Sequence, residues 1–112
     1  MRRTKEPGIS QRLMGPQIIL RSPQEGVKMT CPLDLDIRFE SSNGVAVDVN
    51  SLRVHVRKIW DFDITKHVRP YASPEGIHMT NATFPPGRHT ITLTIADHEG
   101  GVSSRTITVE IV

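Results

Sequence analysis

Four segments of the chain alternate strictly between apolar and polar side chains. Leu33, Leu35, Ile37 and Phe39 alternate with Asp34, Asp36, Arg38 and Glu40, and Leu52, Val54 and Val56 with Arg53, His55 and Arg57. The same period returns in Ile91, Leu93 and Ile95 against Thr90, Thr92 and Thr94, and in Ile107, Val109 and Ile111 against Thr106, Thr108 and Glu110. Successive side chains of a strand point to opposite faces, so each segment predicts a strand with one apolar face. One-sided burial predicts antiparallel pairing, because parallel strands are covered on both faces and have continuous apolar runs. Two such sheets hide their apolar sides by packing face to face.

The intervening residues supply the connections. Asp97-His98-Glu99-Gly100-Gly101 predicts a hairpin loop between the last two strands, with two glycines available for positive φ. Phe84-Pro85-Pro86-Gly87 predicts a rigid corner, since neither proline can donate to a ladder. Ser41-Ser42-Asn43-Gly44 and Ser22-Pro23-Gln24-Glu25-Gly26 are further turns. Gln17 to Arg21 forms the opening strand, broken near Pro23 and resumed at Val27 to Met29. Between Trp60 and Phe84 the pattern is weaker: Asp63-Ile64-Thr65 and Ile77-His78-Met79 are short strands on either side of a crossing loop from Arg69 to Gly76. About seven strands at these intervals predict an all-β, antiparallel Greek-key β-sandwich.

Composition agrees with this. Val, Ile and Thr account for 31 of 112 residues, against 4 Ala and 6 Leu, a balance that favours strands over helices. No apolar run exceeds three residues, so neither a transmembrane helix nor a signal-peptide core is expected, and a soluble domain with no membrane insertion remains. The length allows one modest core. The net charge of +2 is unevenly placed: Met1 to Arg12 carries +3, leaving −1 for Leu13 to Val112. Residues 1–15 are expected to be a disordered basic leader and 16–112 the folded domain. With the basicity confined to the leader and only five aromatic residues in the chain, a nucleic-acid partner is not expected. Cys31 stands alone, so no intrachain disulfide forms and a half-buried inert thiol is expected.

The stretch Gly87-Arg88-His89-Thr90-Ile91-Thr92-Leu93-Thr94-Ile95-Ala96-Asp97-His98-Glu99-Gly100-Gly101-Val102-Ser103 resembles the last hairpin of bacterial immunoglobulin-like domains, with Gly101 where that family usually has Asn. Pro16-Gln17-Ile18-Ile19-Leu20-Arg21-Ser22-Pro23-Gln24-Glu25-Gly26 resembles the family's first strand and Ser-Pro-x-x-Gly turn. Asp48 to Val54, followed by Asp63-Ile64-Thr65, resembles its central strands. The resemblance implies an extracytoplasmic bacterial module, at the cell surface or in the periplasm, serving as a spacer, an adhesive unit or a protein- or glycan-binding domain. Antibody-type domains differ: they carry an inter-sheet cysteine pair packed against a tryptophan.

Catalysis has no signature here. The serines lie outside any Gly-x-Ser-x-Gly elbow, and no glycine loop cradles a phosphate, so the chain is expected to be no enzyme and to need no cofactor. The alternative is a small periplasmic metal-binding protein. Asp61, Asp63, Asp97 and Glu99 lie near turns and would suit calcium if their loops met at one pole. A periplasmic copper-carrier family is similar in its sandwich and its Ser-Pro-x-x-Gly opening, although the five histidines include no His-x-His or His-x-x-x-His pair. His55 alternates outward, whereas His89 shares the parity of the core and is expected to be a hydrogen-bonded structural residue. Trp60, Phe62 and Tyr71, three of the five aromatics, cluster in the least regular segment and are the candidate contact site for a partner or glycan, the favoured alternative being that Trp60 caps the core. Strict alternation would bury Lys58, so a bulge or strand end is expected near it.

Overall fold

The computed structural model describes residues 15–57 and 61–112. The elements are β1 (Gln17–Ser22), β2 (Lys28–Met29), β3 (Leu33–Glu40), β4 (Val47–Arg57), β5 (Asp61–Asp63), α1 (Thr65–Val68), a 3₁₀ turn (Arg69–Tyr71), β6 (Ala72–Ser73), β7 (Gly76–Ala82), β8 (Gly87–Asp97) and β9 (Val102–Ile111). They form two sheets, ordered β1-β3-β7-β6 and β2-β9-β8-β4-β5. With β2 and β5 set aside as short additions, the orders are first-second-fifth-fourth and third-sixth-seventh. That is the strand order of an immunoglobulin-type Greek-key sandwich.

The alternating segments meet in the middle. Leu35, Ile37, Phe39 and Ile77 face the core from one sheet, and Leu52, Val54, Leu93, Ile95 and Ile107 face it from the other. Each such side chain stabilises the fold by about 1.5–3 kcal/mol relative to exposure. The outward threonines form their own ladder: Thr92 and Thr106 hydroxyls stand 3.0 Å apart, and Thr94 Oγ1 lies 3.3 Å from Ser104 Oγ.

Several expectations are corrected. The pairing is not wholly antiparallel, because β2 runs parallel to β9, with Lys28 opposite Glu110 and Met29 opposite Ile111. Once Pro23 has ended β1, the chain crosses to the edge of the opposite sheet, where Val112 N–H donates to the Met29 carbonyl at 2.9 Å. Asp63-Ile64-Thr65 is not one strand: β5 ends at Asp63, and Thr65 opens α1. The crossing loop contains the 3₁₀ turn and the two-residue β6. In the loop of the β8–β9 hairpin Gly100 takes positive φ (88°) and Gly101 does not. Gly101 is buried for another reason, since the backbone of Gly15 lies against it, and a Cβ on Gly15 would come within 2.8 Å of its carbonyl carbon.

The irregularity in β4 lies between Asp48 and Arg53, where this strand takes five steps while β8 takes two, from Ala96 to Thr94. Ser51 bridges the gap: its Oγ donates to the Asp48 carbonyl at 2.6 Å and accepts from Ala96 N–H at 2.8 Å. The expected break at Lys58 and the orientation of Trp60 fall outside the described residues.

Candidate functional site

The passage from one sheet to the other runs through β5, α1, the 3₁₀ turn and β6, and a single threonine fixes its start. Thr65 is buried; its Oγ1 accepts from Val54 N–H at 2.9 Å and donates to Asp63 Oδ1, which also accepts from Thr65 N–H at 2.9 Å. The side chain thus takes the place of a ladder partner at the edge of β4, and the backbone is free to turn into α1. The two hydrogen bonds from Thr65 hold the Asp63 carboxyl below the usual carboxylate range, with smaller help from His55 and Arg53.

This crossing places Phe62 and Tyr71 on the edges of different sheets. Phe62 sits opposite Val56 on β5 and is 49% exposed, while Tyr71 precedes β6 and is 50% exposed. The other described aromatics turn inward: Phe39 is buried, and Phe84 is half-buried with its ring centroid 5.9 Å from that of His89. Tyr71 lines a shallow concavity of about 190 Å³ with Asp36, Arg38, Glu75 and His78. No ring contact between Phe62 and Tyr71 is present among the described residues. Trp60, the third expected member, lies outside the described residues.

The four carboxylates do not share a pole. Asp63 lies opposite His55, and His55 opposite Thr92, whereas Asp97 lies opposite Val47. Five residues of β8 therefore separate the two levels, about 17 Å along the sheet. Asp61 is further along in the same direction, opposite Arg57. Asp97 instead closes the hairpin loop, its Oδ1 accepting from Glu99 N–H at 2.9 Å and from Gly101 N–H at 2.8 Å. Glu99 is exposed on that loop. Among the described residues no three His, Cys, Asp or Glu side chains gather as metal ligands.

Two other residues with reactive side chains are built into the fold. His89 is buried, with Nε2 2.7 Å from the Pro85 carbonyl, so it fastens the proline corner to β8. Cys31 Sγ accepts from Phe84 N–H at 3.2 Å. A cleft of about 200 Å³ opens between the sheets beside α1, walled by Leu35, Ile37, Val54, Ile64, Ile77 and Phe84 among others. A larger, open concavity of about 560 Å³ is lined by Arg53, Asp63, Thr65, Lys66 and Arg69. The sequence pattern missed this second group because Arg53 counts there only as an outward strand residue, and the α1 crossing that carries Arg69 to the Asn50 and Leu52 carbonyls has no local signal.

No family model and no curated protein matches this chain. Similar solved structures include the endo-beta-1,4-mannanase from Thermotoga petrophila, with a TM-score of 0.57 and 14% identity over 87% of this chain and 20% of that one. An engineered protein gives 0.55 and 18% over 87% and 20%, and CopC from Methylosinus trichosporium OB3b gives 0.52 and 11% over 85% and 93%. The chain thus spans about a fifth of the first two proteins and nearly all of the third. At such identities the likeness is one of fold, and with the strand order it identifies the chain as an all-β sandwich of immunoglobulin-like topology.

Proposed function

We propose that this chain is a non-catalytic, extracytoplasmic module of the bacterial immunoglobulin-like kind, binding a protein or glycan partner through Phe62 and Tyr71, on the two sheet edges that the α1 crossing joins. One observation carries the reading: of the four described aromatic residues, two are packed inward, and these two stand half exposed on either side of the α1 crossing. Large exposed aromatic rings lose little side-chain entropy on contact and are favoured anchors for sugars and partner proteins. The mannanase supports a modular role, because a fold of this kind accounts for a fifth of its chain. Among the described residues no helix is long and apolar enough to cross a membrane.

The test is a binding screen of the full chain against glycans, with mannan first, and against envelope proteins. Phe62→Ala and Tyr71→Ala are each expected to weaken the best partner about tenfold or more while leaving the melting temperature within a few degrees, as half-exposed anchors should. No hydrolysis of any bound glycan is expected. Unchanged affinity in both variants would remove the aromatic edge as the site, and turnover of a glycan would overturn the non-catalytic reading.

A further inference from the structure

Two guanidinium groups share one pair of backbone acceptors at the bulge in β4. Arg53 donates from Nη1 to the Leu52 carbonyl at 2.7 Å and to the Asn50 carbonyl at 3.4 Å. Arg69, beyond α1, donates from Nη2 to the same two carbonyls at 3.5 and 3.3 Å. These acceptors lie within the stretch where β4 and β8 fall out of register, between Asp48 and Arg53. Lys66 of α1 joins the two arginines in lining the open concavity of about 560 Å³.

This cluster is unbalanced. Asp63 is the only carboxylate among the described lining residues, and its Oδ1 already accepts both hydrogen bonds from Thr65. None of the ion pairs among the described residues involves Arg53, Lys66 or Arg69. Among the described lining residues three cations stand against one ionised carboxylate, on a segment, Leu13 to Val112, whose net charge is −1. Like charges held together by neutral carbonyls repel unless an anion lies between them. Each guanidinium has five N–H donors in a rigid plane, and each spends one terminal nitrogen on the carbonyls, so further donors are left to point at a ligand.

We infer that the Arg53–Lys66–Arg69 concavity is an oxyanion-binding site, taking a phosphate, sulfate or carboxylate group. Arg53 and Arg69 supply paired N–H donors, Lys66 supplies a mobile point charge, and the bulge fixes where the two guanidinium groups meet. The openness of the site suits an anionic group borne on a larger molecule, such as an acidic sugar, as well as a free anion. The site goes beyond the aromatic edge proposed above and does not depend on it.

The experiment is a calorimetric titration of the full chain with inorganic phosphate, sulfate, glucuronate and a sulfated monosaccharide, with glucose as the neutral control. It compares wild type, Arg53→Gln/Arg69→Gln, Arg53→Lys/Arg69→Lys and Arg88→Gln, the last removing an exposed charge from β8 as a control. Saturable one-to-one binding of at least one anion to wild type is expected. The Gln pair should weaken it about tenfold or more, the Lys pair by less, and Arg88→Gln should leave it unchanged. Should the Gln pair fail to fold, a loss of affinity in the folded Lys pair still supports the site. Preference for the sugars would mark an acidic glycan as ligand and preference for phosphate or sulfate a free anion; both support the inference. Absence of saturable binding overturns it, and so does equal binding by wild type and both double variants. Because glucose and neutral glycans do not engage this site, its failure is distinct from failure of the aromatic edge.

Discussion

Thr65 shows how a single side chain can redirect a strand. A β-branched residue after Asp63-Ile64 favours continued extension, yet its hydroxyl serves Val54 N–H and Asp63 Oδ1 at once. The pattern of apolar positions contains no trace of that choice, and for this reason the sequence predicts a strand where the chain turns into α1. Thr65→Val keeps the shape but leaves the buried Val54 N–H without its acceptor, so a loss of about 1–3 kcal/mol is expected in urea denaturation. A loss well below that range would mean that another acceptor replaces the hydroxyl. Asp63 adds a pH dependence. Its folded pKa is lowered, so its contribution is complete above the unfolded value of about 4 and disappears as pH falls through the folded value. The stability difference between wild type and Asp63→Asn should therefore be constant near neutrality and close below about pH 4. A difference that persists at lower pH would assign the effect to shape instead of charge.

At the scale of elements, the four alternating strands were fully legible because each buries one face and exposes the other. Leu93 is 1% exposed, whereas its neighbour Thr92 lies on the outer face beside Thr106. Leu93→Asp buries an unpaired charge and should cost about 4 kcal/mol or more, a large part of a small domain's stability, while Thr92→Asp should cost about 1 kcal/mol. Equal tolerance in thermal melts would refute the register. Less legible were the elements defined by a partner strand. β2 and β6 have two residues each and exist through pairing with β9 and β7, and the β4 bulge rests on Ser51 reaching Ala96. Gly76 belongs to this group. It begins β7 with φ of 150°, and a Cβ there would lie 2.0 Å from the Ile37 carbonyl oxygen. Gly76→Ala should therefore separate β7 from β3 and lower the melting temperature by about 10 °C or more. A melt within a few degrees of wild type would show that the edge can shift to accept the methyl group.

For the whole molecule, the sequence pattern indicated which residues lie near turns but not which turns share an end of the sandwich. Alternation assigns faces, whereas the level of each loop depends on register, and the bulge in β4 displaces every later pairing. The carboxylates show the consequence. Asp61 and Asp63 belong to one end of the five-stranded sheet, and Asp97 and Glu99 to the hairpin at the other. Asp97 is further committed to two backbone N–H groups. Calcium takes about six to eight oxygen ligands, so a pair of carboxylates at either end, supplying about four at most, would leave the rest to backbone carbonyls and water. Thermal melts of the full chain with Ca²⁺, Cu²⁺ or Zn²⁺ are accordingly expected to match the metal-free melt. A metal at about a hundred times its Kd would add about 2.7 kcal/mol, equivalent to about 10 °C or more for a domain of this size. A shift of that magnitude would reinstate the metal-binding alternative, and repeating the melt with Asp63→Asn and with Asp97→Asn would locate the responsible end. If neither substitution abolished the shift, the ligands would lie outside Asp63 and Asp97.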